Sequence, residues 1–174
     1  IRDCLLSRGL GDVYKRQEGF AGHAYACSGS PLARHYAHAG MVGLDGEKMS
    51  KSLGNLVLVS RLRSQGTDPA AIRVVLLSHH YRTDWFWTDG QLAGAEQRLS
   101  RWRSALPRTS RTQAEQMLAE VRTAMARDLD APSALAAVDA WAVRVAGNSP
   151  EDTSAAEGAE LAASTLDALL GIRL

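Results

Sequence analysis

Residues 43–55 read Gly-Leu-Asp-Gly-Glu-Lys-Met-Ser-Lys-Ser-Leu-Gly-Asn. Two lysines, Lys48 and Lys51, stand three positions apart, flanked by Gly43, Gly46 and Gly54. A backbone loosened by glycine can fold over a bound anion. Each lysine ammonium is a compact charge with rotatable donors, suited to a phosphate that changes shape during reaction. Ser50 and Ser52 add hydroxyl donors. A loop that closes as charge develops stabilises the transition state more than the ground state, and that difference raises rate. By residue type and spacing alone, a solvated basic turn fits the same letters.

The other reactive side chains carry weaker signals. His35, His38, His79 and His80 invite a metal-binding reading, but a structural or loop-packing role fits His79 and His80 better. His23 reads as a helix-face residue. Cys4 and Cys27 are not spaced as a metal or redox pair, and two thiols without a framework suit a reducing cytoplasm.

The elements that must position the lysine loop follow from local patterns. An Ala-rich helix is expected from Glu18 to Ser28, ending near Gly29 with Pro31 beyond. Alternation from Ala33 to Met41 predicts a strand entering the loop. Gly43 and Gly46 mark a turn or hairpin before the lysines. Ser60 can N-cap a short helix, RLRSQ, that Gly66 would end. Asp68 and Pro69 open a helix with Ile72, Val75, Leu76 and His79 on one side. After Trp85-Phe86-Trp87, a helix starting at Thr88 or Asp89 carries Leu92, Ala95, Leu99, Trp102 and Leu106. Another carries Ala114, Met117 or Leu118, Val121 and Met125. Asp130 and Pro132 open a fourth, with Leu135, Val138, Ala142 and Val145, which Gly147 closes. Ser149, Pro150 and Asp152 predict the cap of a fifth, with Leu161, Thr165, Leu166 and Leu169 facing inward. Successive apolar stripes with short breaks imply an antiparallel helical bundle, with Arg82, Trp85 and Trp87 packing it against what precedes.

The bulk numbers bound the class. The chain has 174 residues, 45% hydrophobic and 22% charged. That is an ordinary globular composition, large enough to bury a core. No apolar run approaches the ~18 residues of a membrane span. The net charge of +1 hides a gradient: residues 18–108 hold 11 Lys and Arg against 7 Asp and Glu, and residues 150–174 hold 1 against 5. A C-terminal end that gripped a nucleic-acid backbone should be basic instead. Residues 1–17 lack the Ala-rich style of the remainder. Their end, SRGLGDVYKRQ, resembles a translated sequencing-adapter tail, so this segment is expected to be non-native.

Lys48-Met49-Ser50-Lys51-Ser52 is the full KMSKS signature, followed by Gly54-Asn55, and it resembles that of class I aminoacyl-tRNA synthetases and their relatives. The flanks, AHAGMVGLDGEKMSKSLGN from Ala37 and DPAAIRVVLLSHHYRTDW from Asp68, are similar to cysteinyl-tRNA synthetases and to a paralogous branch, the mycothiol-pathway cysteine ligases. The spelling from Ala33 to Val42 and the segment from Asp128 to Trp141 resemble the ligase branch more closely. The resemblance covers residues 18–174.

The resemblance implies a mainly α fold. Residues 18–66 would be the KMSKS-loop end of a class I catalytic domain, and residues 67–174 an antiparallel helical bundle. It implies ATP-dependent joining of L-cysteine to glucosaminyl-inositol through cysteinyl-adenylate, releasing AMP and diphosphate. Lys48, Met49, Ser50, Lys51 and Ser52 would bind ATP, with Lys51 catalytic. Gly40, Met41 and Val42 would line the cysteinyl-adenylate pocket. The family's zinc ligands are missing: its Cys ligands lie upstream, its His would fall near Arg16, and Cys27 lies beyond the zinc region. The HIGH signature and the sheet that carries it are also missing. The expectation is a C-terminal portion of a cytoplasmic enzyme, without its N-terminal catalytic half and inactive alone. It would have small-molecule partners and no nucleic-acid or membrane partner. Two alternatives stay open: part of a cysteinyl-tRNA synthetase, or a stand-alone helical interaction module with a vestigial loop.

Overall fold

The computed structural model describes residues 21–31, 33, 35, 37–147 and 155–174. The expected features at Glu18, Arg16, Arg34, Tyr36 and the cap at Ser149–Asp152 lie outside the described residues. The chain forms two compact units, Ile1–His38 and Ala39–Leu174. The boundary expected between residues 66 and 67 falls inside the second unit. Among the described residues no helix is long and apolar enough to cross a membrane.

In the first unit, residues 21–28 are helical (α1). The helix ends where the Gly29 amide donates to the Tyr25 carbonyl at 2.8 Å.

The second unit begins with a small sheet, order β2-β1-β3. β1 (Val42–Leu44) pairs antiparallel with β2 (Glu47–Lys48), placing Gly43 opposite Lys48. Asp45 (φ 50°) and Gly46 (φ 86°) form the two-residue turn between them. Turns with positive φ at both central positions match the twist of a hairpin, which is why Asp-Gly stands there. β3 (Trp85–Trp87) lies parallel to β1, pairing Val42 with Trp85 and Leu44 with Trp87. The strand expected over Ala33–Met41 does not form: its described residues are irregular, and the ladder begins only at Val42. The amides of Gly40 and Met41 go instead to the Tyr81 carbonyl and the Asp84 side chain.

α2 (Val59–Ser64) starts one residue before Ser60, with Leu58 in the cap position and no side-chain cap. Ser60 therefore lies inside the helix, not at its start. α3 (Pro69–Leu77) is capped as expected, Asp68 Oδ1 accepting from the Ala70 amide at 2.8 Å. Its buried face is offset from the expected one. Ala71, Ile72, Val74 and Val75 are buried and Leu76 is exposed. The period is right, but the face packed on the next helix takes the small Ala71 in place of the bulky Leu76.

α4 (Asp89–Ala105), α5 (Arg111–Ala126), α6 (Ala131–Val145) and α7 (Ala155–Leu170) make the bundle. Gln91 Oε1 accepts from the Thr88 amide at 3.2 Å at the start of α4. Ser110 and Gln113 form a capping box on α5. Asp130 accepts from the Ser133 amide on α6. α5 packs on both α6 and α7, α4 on α6, and α3 on α4. Leu99, Trp102, Met117, Val121, Leu135, Val138, Trp141 and Leu166 fill a continuous core. The expected stripes of α4 to α7 are those that are buried, with Leu92, Leu106, Met125, Leu161 and Leu169 at their partly buried margins. This mainly helical body with its small sheet is the expected fold class.

Candidate functional site

The lysine loop is built on the β1–β2 hairpin. Lys48 ends β2, and residues 51–54 form the turn that carries Lys51. Both lysines are exposed, and neither has an ion-pair partner among the described residues. Asn55 closes the neck. Its Oδ1 accepts from the Ser50 amide at 2.9 Å, and its Nδ2 donates to the Lys48 carbonyl at 3.2 Å. Ser50 Oγ accepts from the Leu53 amide at 3.2 Å and lies 3.2 Å from Ser52 Oγ. The two hydroxyls thus fold the turn on itself. Met49 packs against the hydrophobic core and anchors the loop between the two lysines. Two mobile ammonium groups therefore ride on a backbone fixed at both ends, an arrangement that can bring positive charge to a polyphosphate.

Gly40, Met41 and Val42 form one strip leading into β1. The Gly40 amide donates to the Tyr81 carbonyl at 2.6 Å. A Cβ on Gly40 would overlap the Thr83 carbonyl, so only glycine fits this approach. The Met41 amide donates to Asp84 Oδ1 at 2.7 Å, and its carbonyl accepts from the Trp85 amide at 3.0 Å. The Val42 side chain is half-buried on the core. Only Val42 of this strip belongs to β1, which pairs with β2 and so lies in one small sheet with Lys48.

His79 and His80 make ring-stacking and hydrogen-bond contacts. His79 stacks on Trp85, ring centroids 4.0 Å apart and 7° between planes. Its partial burial pushes its pKa below the usual histidine value. His80 Nε2 meets the Asp128 carbonyl at 3.1 Å. Trp87 is buried in the core and Trp85 is partly buried against it, as expected, whereas Arg82 is exposed and pairs with Asp128. Among the described residues no three His, Cys, Asp or Glu side chains converge on a metal position, and Cys27 is exposed. The described donor set does not fit a zinc ion.

Three features had no signal in residue spacing. They are the parallel β1–β3 pairing, the Asp84 grip on Met41, and the convergence of His80, Tyr81 and Arg82 on Asp128. The Asn55 clasp was partly legible, since Gly54-Asn55 closes the quoted motif.

Residues 13–97 match the family described as tRNA synthetases class I (C) catalytic domain. The ligase named L-cysteine:1D-myo-inositol 2-amino-2-deoxy-alpha-D-glucopyranoside ligase from Paenarthrobacter aurescens (strain TC1) is 55% identical over 162 residues, covering 93% of this chain and 38% of the relative. The ligase of the same name from Kocuria rhizophila is 56% identical over 156 residues, covering 88% and 36%. That from Streptomyces griseus subsp. griseus is 55% identical over 164 residues, covering 93% and 39%. The chain thus spans under two fifths of the length of these relatives. Among solved structures, the LeuRS of Agrobacterium radiobacter K84 in a ternary complex with tRNA and LeuAMS aligns with a TM-score of 0.60 at 22% identity. It covers 87% of this chain and 24% of that one, a likeness of fold alone. With an intact KMSKS loop on a clasped hairpin, a matching catalytic-domain segment and relatives more than half identical along nearly its whole length, the chain belongs to the class I aminoacyl-tRNA synthetase family, alongside these cysteine ligases.

Proposed function

We propose that this chain is part of an ATP-dependent ligase that joins L-cysteine to the amine of glucosaminyl-inositol. The identity of about 55% to ligases of that name, spread across 93% of the chain, carries the reading. In the first step the cysteine carboxylate attacks the ATP α-phosphorus and diphosphate leaves, giving cysteinyl-adenylate. In the second the glucosaminyl amine attacks the acyl carbon, the acyl–phosphate bond breaks and AMP leaves, forming an amide. Activation is needed because a carboxylate is a poor electrophile.

Lys51 neutralises charge on the phosphates as the first step passes its transition state, and Lys48 and Ser50 support the closed loop. Gly40, Met41 and Val42 line the adenylate pocket. The loop has no phosphate-to-adenine cradle of its own among the elements above, so the 174-residue chain alone should not make adenylate. Zinc, if used by the longer protein, is held outside the described residues. The partners are cysteine, ATP and glucosaminyl-inositol, in the cytoplasm.

The longer protein containing this segment tests the reading. It should form AMP from ATP and cysteine only when glucosaminyl-inositol is supplied. AMP formation that instead requires tRNA would assign the chain to a cysteinyl-tRNA synthetase. Cysteine-dependent ATP–diphosphate exchange by the 174-residue chain alone would refute its predicted inactivity.

A further inference from the structure

We infer that Asp128, at the corner between α5 and α6, is a positioning residue for the Gly40–Met41 strip, acting through residues 80–85. The inference rests on the proposed assignment of that strip to the adenylate pocket.

The corner has an unusual backbone. Asp128 (φ 54°) and Leu129 (φ 56°) are consecutive non-glycine residues in the left-handed region. Leu129 is bulky there, and it is exposed, so its own burial does not offset the strain. What the conformation gains is a set of contacts to one short segment. Tyr81 Oη donates to Asp128 Oδ1 at 2.9 Å, and Arg82 Nη2 pairs with the same oxygen at 3.0 Å. Arg82 Nε donates to Tyr81 Oη at 2.7 Å, closing a ring of three side chains. The Asp128 carbonyl meets His80 Nε2 at 3.1 Å.

The other side of that segment holds the strip. The Tyr81 carbonyl takes the Gly40 amide, the Asp84 carboxylate takes the Met41 amide, and the Trp85 amide reaches the Met41 carbonyl. One stretch of chain therefore connects a strained bundle corner to the backbone that leads into the lysine hairpin. The Arg82 and Asp128 side chains are 60% and 50% exposed. An ion pair so exposed adds little to global stability. Placement of residues 80–85, and through them of the strip, is what such a ring can fix.

The test compares wild type, Asp128→Ala, Asp128→Asn and Tyr81→Phe in the longer protein. Amide hydrogen exchange at Gly40, Met41 and Trp85 is measured beside cysteine-dependent ATP–diphosphate exchange. Asp128→Ala should speed exchange at those three amides about 10-fold while amides in α5 and α7 stay protected. It should also lower kcat/KM for ATP about 10-fold, since small displacements of a reacting geometry are costly. Asp128→Asn keeps an acceptor for Tyr81 Oη and tolerates the left-handed conformation, so it should restore most of both. Tyr81→Phe should resemble Asp128→Ala. Unchanged protection at Gly40, Met41 and Trp85, or an equal loss throughout α5 and α7, overturns the inference. Lost activity with unchanged protection overturns it as well. A wild-type protein without cysteine-dependent exchange refutes the proposed function separately, and the amide data still decide whether Asp128 positions the strip.

Discussion

Lys51 stands on the exposed turn of the lysine loop, with no carboxylate paired to it among the described residues. Its ammonium can therefore move to a polyphosphate without first breaking an ion pair. In the longer protein, Lys51→Ala should slow adenylate formation by ~10²–10³, the scale of removing one preorganised charge donor. ATP–diphosphate exchange measures it, and an unchanged rate sinks the role. Asn55 acts differently, because it touches the backbone at both sides of the neck. Asn55→Ala should lower kcat about 10-fold through misplacement of Lys51. The KM for cysteine should hold, since no cysteine contact is removed; a change confined to that KM would contradict the clasp. The lysines and Asn55 could be picked out from the sequence as a group. That Met49 packs on the core while Lys48 and Lys51 are exposed could not, since the motif has no period to reveal it.

Among the elements, α3 shows how a local signal and a distant partner combine. Asp68 caps the helix, and Arg103 Nη2 on α4 reaches Asp68 Oδ2 at 2.7 Å. The Arg103 hydrogen bond, helped by the Ala70 amide, holds the Asp68 carboxyl below its ordinary value of 3.8. A carboxylate with a folded pKa below its unfolded one stabilises the fold above the unfolded value, and that contribution is lost as pH falls through the folded value. Asp68→Asn keeps a capping side chain and removes the charge. Its stability deficit in thermal unfolding should be present at neutral pH and shrink as pH drops below 3.8. A deficit that does not change with pH would show that the charge contributes nothing. The cap was legible because Asp-Pro is a local helix start. The Arg103 contact spans 35 residues and left no local trace.

On the scale of the whole second unit, Asp139 ties three helices together. Arg98 meets it through two nitrogens, at 2.8 and 3.2 Å, and Trp102 Nε1 donates to Oδ1 at 2.9 Å. Arg98 also donates to Ser78 Oγ at 3.1 Å, bringing in the end of α3. Trp102 is fully buried. Asp139→Ala would leave the indole N–H without a partner, and should lower unfolding free energy by about 2–3 kcal/mol in chemical denaturation. Asp139→Asn keeps the acceptor and should cost less. Equal losses for the two variants would point to packing and away from the hydrogen bond.

The sequence by itself determined the bundle and the loop. Helical periods and caps are local properties, so α4 to α7 were placed with their inward faces, and the KMSKS letters marked the lysine loop without reference to any neighbour. Only the tertiary structure decided what the loop stands on. A parallel pairing of Val42–Leu44 with Trp85–Trp87 joins residues 43 apart, and the chain between them carries two helices. Backbone hydrogen bonds of that kind depend on where the intervening segment folds, and residue spacing does not encode it. The offset face of α3, the irregular approach at Gly40 and Met41, and the Asp128 corner have the same origin. Each is set by the element packed against it, which the local residue pattern does not reveal.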